Sequence, residues 1–87
     1  MDKKLITVTG YVQGVGFRWF VRGEARAMGL RGWVRNLSAC GVEIFAAGEE
    51  SKLKEFIAAL YSGPGEVTDI QISPAPEDAP VGFDIKF

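Results

Sequence analysis

The segment Gln13-Gly14-Val15-Gly16-Phe17-Arg18 carries the residue types that hold an anion. Gly14 and Gly16 lack Cβ atoms, so the backbone can curl and point successive N–H groups inward. From Phe17 onward the sequence takes on a helical period. The first turn of a helix offers unpaired N–H donors and the positive end of its dipole. Loop and helix start together make a nest for phosphate or carboxylate. Arg18 closes the segment, and its planar guanidinium can grip either group through two parallel hydrogen bonds. Spacing alone fits equally well a glycine turn that merely links strand to helix.

Other chemistries are closed to this chain. It has no histidine, which removes the commonest general base and metal ligand and every Ser-His or Cys-His nucleophile pair. Cys40 is the only cysteine, so neither an internal disulfide nor a cysteine-rich metal site can form. A dinucleotide fingerprint needs a third glycine where Trp19 stands, and no Gly-Lys-Ser/Thr of a P-loop occurs. An RNA-recognition sheet needs its aromatic motif on the third strand, where only Phe45 is found.

Charge points the same way as the glycine loop. Residues 1–36 carry seven lysines and arginines against two acids, a net +5. Residues 37–87 carry three lysines against nine acids, a net −6. All five arginines fall between Arg18 and Arg35, and such a local positive field attracts small anions. For Arg22 and Arg26, spaced i,i+4, a solvated helix face is an equally good account.

The elements that must position these residues can be read from periodicity. Leu5 to Tyr11 is β-rich with two apolar faces and reads as a central strand. Phe17, Val21, Ala25 and Met28 fall on one side of a helix that Gly29 can end. Gly23 inside that helix costs ~1 kcal/mol relative to alanine, with close packing as its only evident reason. Leu30 to Asn36 reads as a second strand, Ser38 to Gly41 as a turn, and Val42 to Ala47 as a third strand closed by Gly48. Leu53, Phe56, Ile57 and Leu60 give the clearest helical stripe, stopped by Gly63-Pro64. Val67 to Ser73 is a fourth strand with Ile70 and Ile72 on one face, and Pro74 to Pro80 is a loop. Val81, Phe83, Ile85 and Phe87 alternate strictly and predict a closing strand over that whole stretch.

This order, β-α-β-β-α-β with a short extra strand, is the α+β ferredoxin-like split βαβ pattern: a mostly antiparallel sheet with two helices on one face. At 87 residues the expectation is one domain over 1–87. The apolar content of 47% suits a folded domain, and no run approaches the ~18 residues of a membrane span. A soluble cytoplasmic protein is the expectation.

Two stretches, Gly10-Tyr11-Val12-Gln13-Gly14-Val15-Gly16-Phe17-Arg18 and Gly32-Trp33-Val34-Arg35-Asn36, closely resemble the signature motifs of the acylphosphatase family. Motif separation, length and element order match too, so the likeness covers nearly the whole chain. The resemblance implies hydrolysis of the carboxyl–phosphate anhydride of small acyl phosphates, without metal or cofactor. It implies that the backbone of Gln13, Gly14, Val15, Gly16, Phe17 and Arg18, with the Arg18 side chain, binds phosphate. It implies that Asn36 orients the attacking water; apart from the motif, Asn36 reads as a turn residue ending its strand. The implied partners are a small-molecule acyl phosphate, with phosphate or sulfate as simpler ligands, and no nucleic acid or membrane, for a monomer.

An alternative remains. A related fold forms the amino-terminal domain of larger hydrogenase-maturation proteins that handle carbamoyl phosphate. By that likeness the chain is a non-catalytic anion-binding or interaction domain. Two positions depart from the family pattern. The hairpin after Asn36 reads Ala39-Cys40-Gly41, with its glycine one position late, which leaves turn type and local register open. Tyr11 stands where the family often has a basic residue. Phe17, Trp19, Phe20 and Trp33 read as core or rim packing, Glu43 as solvated, and Cys40 as an exposed hairpin tip without a catalytic role.

Overall fold

The structure, a computed structural model, describes residues 1–75 and 77–87. Its elements run β1 (Asp2–Tyr11), α1 (Phe17–Ala27), β2 (Arg31–Asn36), β3 (Val42–Gly48), α2 (Glu50–Leu60), β4 (Glu66–Pro74) and β5 (Phe83–Lys86). Among the described residues the strands form one sheet in the order β4-β1-β3-β2-β5. Every pairing is antiparallel except β2 with β5. This is the expected ferredoxin-like α+β arrangement. No helix among the described residues is long and apolar enough to cross a membrane.

The sheet has one face under the helices. Ile6 and Val8 of β1, Val34 of β2, and Val42, Ile44 and Ala46 of β3 pack there against Phe17, Val21 and Ala25 of α1 and Leu53, Phe56 and Leu60 of α2. The two helical stripes read from the sequence are thus the surfaces that are buried. A buried phenylalanine or leucine contributes roughly 1.5–3 kcal/mol relative to an exposed one, so this cluster holds the sheet ends from which the site projects.

The other face is covered in part by the chain itself. Phe45 and Ala47 of β3 are fully buried beneath Ala75, with Leu5, Trp33 and Ala79 packed around them. The Trp33 and Phe45 rings meet nearly edge to face, with centroids 6.0 Å apart. Arg31 holds this return segment by donating to the carbonyls of Pro80 at 2.7 Å and Ala79 at 3.0 Å.

Three expectations are corrected. The closing strand is shorter than its alternation implies: Val81 is 89% exposed and precedes it, and Phe87 lies beyond it at 97% exposed. Pairing with β2 spans only Gly32 to Arg35, so the ladder ends while the apolar alternation continues. Close packing does not explain Gly23, because a Cβ there would meet nothing within 4 Å. The loop expected over Pro74 to Pro80 begins later, since Pro74 still belongs to β4; Pro76 lies outside the described residues.

Candidate active site

The loop between β1 and α1 departs from extended backbone at its two glycines. Gly14 has φ +73° and Gly16 φ +85°, left-handed values that strain any residue with a Cβ. Gly16 is the N-cap of α1, where its carbonyl accepts from the Phe20 N–H at 3.1 Å. Among the described residues, no N–H from Gln13 to Arg18 donates to a backbone carbonyl, and no side-chain acceptor caps the helix. No acid stands in the first turn. The end of α1 therefore presents unspent donors and an uncompensated positive dipole. Val12, buried just before the loop, and Phe17, buried just after it, fix its two ends in the core.

Arg18 is the second residue of α1, and its guanidinium carbon lies 5.0 Å from the centroid of the Phe87 ring. Among the described residues it makes no hydrogen bond or ion pair. The other arginines are engaged. Arg22 stacks on Trp19 at 4.3 Å, Arg26 pairs with Asp84 at 3.1 Å and donates to the Phe83 carbonyl at 3.0 Å, and Arg31 holds the return segment. Arg35 gives two donors to one Glu43 oxygen, at 2.8 and 2.6 Å. Three of the five arginines are thus held by hydrogen bonds or ion pairs; Arg18 and Arg22 make ring contacts alone, and of these two only Arg18 lines the openings described next. Glu43 is correspondingly not solvated: its side chain is 17% exposed and closed over by Arg35.

Asn36 ends β2 and pairs with Val42 across the hairpin. Its Oδ1 is buried without a hydrogen-bond partner among the described residues. An amide oxygen so placed keeps its acceptor sites for a water or a ligand. The turn that follows is settled by Gly41. The Leu37 N–H donates to the Gly41 carbonyl at 3.1 Å, Gly41 takes φ +85°, and a Cβ there would sit 2.5 Å from the Val8 carbonyl oxygen. A glycine is required at 41, so the late glycine keeps the register through Arg35↔Glu43 and Asn36↔Val42. Cys40 is exposed at the tip, as its place in the turn implies.

Two openings meet at Arg18. One, of about 250 Å3, is lined by Val12, Gly14, Gly16, Phe17, Arg18 and Trp19. The other, of about 350 Å3, is lined by Arg18, Arg35, Asn36, Lys86 and Phe87. The glycine loop, the free cation and the unpaired amide thus open onto adjoining space.

The family model described as "Acylphosphatase" matches residues 4–85. The chain belongs to the acylphosphatase family. That membership supports a hydrolase activity on acyl phosphates. The chain is 45% identical over 74 residues to the acylphosphatase of Bacillus pumilus, covering 83% of this chain and 82% of that one. It superposes on the crystal structure of acylphosphatase from Bacillus subtilis with a TM-score of 0.95 at 40% identity, over the full length of both. It also superposes on T.kodakarensis HypF with a TM-score of 0.83 at 35% identity, covering 99% of this chain but 12% of that protein.

Several residues around the two openings were not singled out by the sequence. Lys86 and Phe87 reach the larger one because β5 lies parallel to β2 with Arg35 opposite Lys86, a pairing that no local pattern announces. Lys86 sits 4.3 Å from the Trp33 ring centroid, with Arg35 at 5.6 Å from the same ring. Gln13 entered only for its backbone N–H, yet its side chain crosses to the β2–β3 hairpin. The one advance signal for that was a long amide beside two glycines that could not use it.

Proposed function

We propose that this protein hydrolyses small acyl phosphates to a carboxylate and inorganic phosphate. A water oriented by Asn36 attacks, in line, a phosphoryl group held by the backbone of Gln13, Gly14, Val15, Gly16, Phe17 and Arg18 and by the Arg18 guanidinium. The observation that carries this is the run of unpaired N–H groups from Gln13 to Arg18, which spans two left-handed glycines and ends on an arginine without an ionic partner. Those donors face the oxygens on which charge accumulates as the phosphoryl group transfers, where positioning and electrostatics supply most of the catalysis.

The leaving group explains why so few side chains are needed. A carboxylate, whose acid has a pKa of roughly 4, departs unprotonated, so no general acid is required. An asparagine is no base at neutral pH, but its amide can hold a water through Oδ1 or Nδ2. The new bond joins the water oxygen to phosphorus, and the bond to the acyl oxygen breaks. The proton of the water passes to a phosphate oxygen of the substrate itself. In-line attack puts the acyl leaving group on the face of the phosphoryl group opposite the water that Asn36 holds.

Turnover of benzoyl phosphate by the wild-type protein, with and without chelator, tests the proposal. Full activity in chelator is expected, and chelator sensitivity would overturn the metal-free route. The match to T.kodakarensis HypF supports a second reading, an anion-binding domain without turnover of its own. Phosphate binding in calorimetry with no acyl phosphate hydrolysis would select it.

A further inference from the structure

Trp19 is 55% exposed at the third position of α1 and belongs to neither buried cluster. Side chains on a helix tilt toward its N-terminus, so a residue of the first turn projects over the helix start. Trp19 accordingly lines the opening of about 250 Å3 together with Gly14, Gly16 and Arg18. The other apolar side chains of that opening, Val12 and Phe17, are buried in the core. The indole is therefore the broad apolar surface that this opening presents.

The ring is held from one side. The Arg22 guanidinium carbon lies 4.3 Å from its centroid, and Arg22 makes no hydrogen bond or ion pair among the described residues. Arg22 thus covers one face of the indole and orients it, and the rest of the ring is left to the opening and to solvent.

The two openings that meet at Arg18 share no other lining residue. Asn36 lies in one and Trp19 in the other. With the phosphoryl group on the glycine loop and Arg18, in-line attack from the Asn36 side sends the acyl group away from Asn36. From this geometry we infer that Trp19 is a specificity-determining residue, its indole being the surface on which the acyl group lies. Planar apolar acyl groups, such as benzoyl, stack on an indole, and an acetyl group is too small to cover it. Acyl phosphates of the aromatic class are therefore favoured over short aliphatic ones.

This inference rests on the proposed function for the placement of the phosphoryl group, and its test compares two substrates. Wild type should have a higher kcat/KM on benzoyl phosphate than on acetyl phosphate. Trp19→Ala should lower the ratio of the two roughly 3- to 10-fold, the range of one aromatic pair. The loss should appear in KM and not in kcat, because the acyl group touches the ring before and during the reaction alike. Trp19→Phe should keep the ratio within about twofold of wild type, since a phenyl ring stacks in the same manner. The competitive inhibition constant of inorganic phosphate should stay within about twofold in all of them, because phosphate meets the loop N–H groups and Arg18 and carries no acyl group. Should the alanine variant not fold, Trp19→Gln, a good helix former without a ring, carries the same expectations.

Equal losses on both substrates would make Trp19 a brace of the helix start and overturn the inference. An unchanged ratio in Trp19→Ala does the same. So does a ratio that collapses in Phe87→Ala instead, because Phe87 lines the opening that holds Asn36. Calorimetry with benzoylphosphonate and acetylphosphonate, which cannot be hydrolysed, reads the same preference as binding. If wild type turns over neither acyl phosphate, the proposed hydrolysis fails. The phosphonate affinities of wild type and Trp19→Ala then still decide the role of Trp19, and the two failures are told apart.

Discussion

Helix α1 starts from a left-handed Gly16, with no acid in its first turn and Arg18 as its second residue. Helix α2 starts from an extended Glu49 and has Glu50 in its first turn, 3.8 Å from Lys54 one turn on. Both are eleven residues long and both bury three apolar residues in the same core. Neither has a side-chain cap, yet α2 meets its own dipole with an acid while α1 adds a cation to the positive end. A helix that served packing alone would gain from the arrangement at α2. The arrangement at α1 is unfavourable until an anion arrives, and the glycine loop gives that anion further N–H groups to meet.

Breaking α1's end of the contrast should have the largest effect. Arg18→Ala removes an arginine that has no hydrogen-bond or ionic partner among the described residues and lines both openings. By the scale of losing one preorganised contact, kcat/KM on benzoyl phosphate should fall by at least ~10²-fold. Asn36→Ala should lower kcat by a similar factor while leaving inhibition by inorganic phosphate nearly unchanged, because the amide serves the water and not the phosphate. Steady-state kinetics on folded variants, checked by circular dichroism, read both. Near-normal turnover in the two together would sink the assignment of the site.

A smaller effect is expected from making α1 resemble α2. Trp19 is exposed at the third position of α1, and Trp19→Glu places a carboxylate where it meets the dipole and the free N–H groups from within. The helix gains ~0.3–1 kcal/mol from that acid and loses the stacking of Arg22 on the indole, of comparable size when exposed. Stability should change little. The acid also competes with the substrate's charge, so KM for acetyl phosphate should rise about tenfold, the effect of ~1.4 kcal/mol of repulsion. An unchanged KM would mean that the start of α1 is not where the anion sits.

The contrast between the helix starts was legible in the sequence only on one side. The stripes Phe17-Val21-Ala25 and Leu53-Phe56-Leu60 could be read because 3.6-residue periodicity is local, and both are buried. Glycines 14 and 16 could be read because a missing Cβ has a local consequence. What depended on register could not. Glu43 looks like any strand carboxylate until the hairpin sets it opposite Arg35. Phe45 is buried on the face away from the helices because Ala75 and Ala79 pack over it. Lys86 and Phe87 join the site through a parallel pairing between strands distant in sequence. The alternation through Val81 and Phe87 suggested a longer strand, yet length was decided by the partner's available backbone and not by the apolar pattern.

Gly23 offers a test of α1 away from its start. Its Cβ would project into open space, and it lies in the helix interior with an ordinary φ. Gly23→Ala should therefore stabilise the fold by up to ~1 kcal/mol in urea denaturation, through helix propensity and a less flexible unfolded chain. If activity is measured alongside, it should stay at the wild-type level, since the loop donors and Arg18 lie a full turn away. A loss of stability would mean that the position serves a contact the fold does not show.

The smallest expected effect lies at the start of α2. Glu50→Gln removes the acid from the first turn and its pairing with Lys54, both on an exposed surface where salt screens them. The helix should lose a few tenths of a kcal/mol, seen as a slight fall in the urea midpoint that shrinks further at high salt. Leu53, Phe56 and Leu60 still bury the same face, so the helix itself persists. Turnover should not change, because nothing at α2 addresses the phosphoryl group. A kinetic effect as large as that of Trp19→Glu would erase the distinction between the two helix starts and place the anion's field over the whole sheet edge.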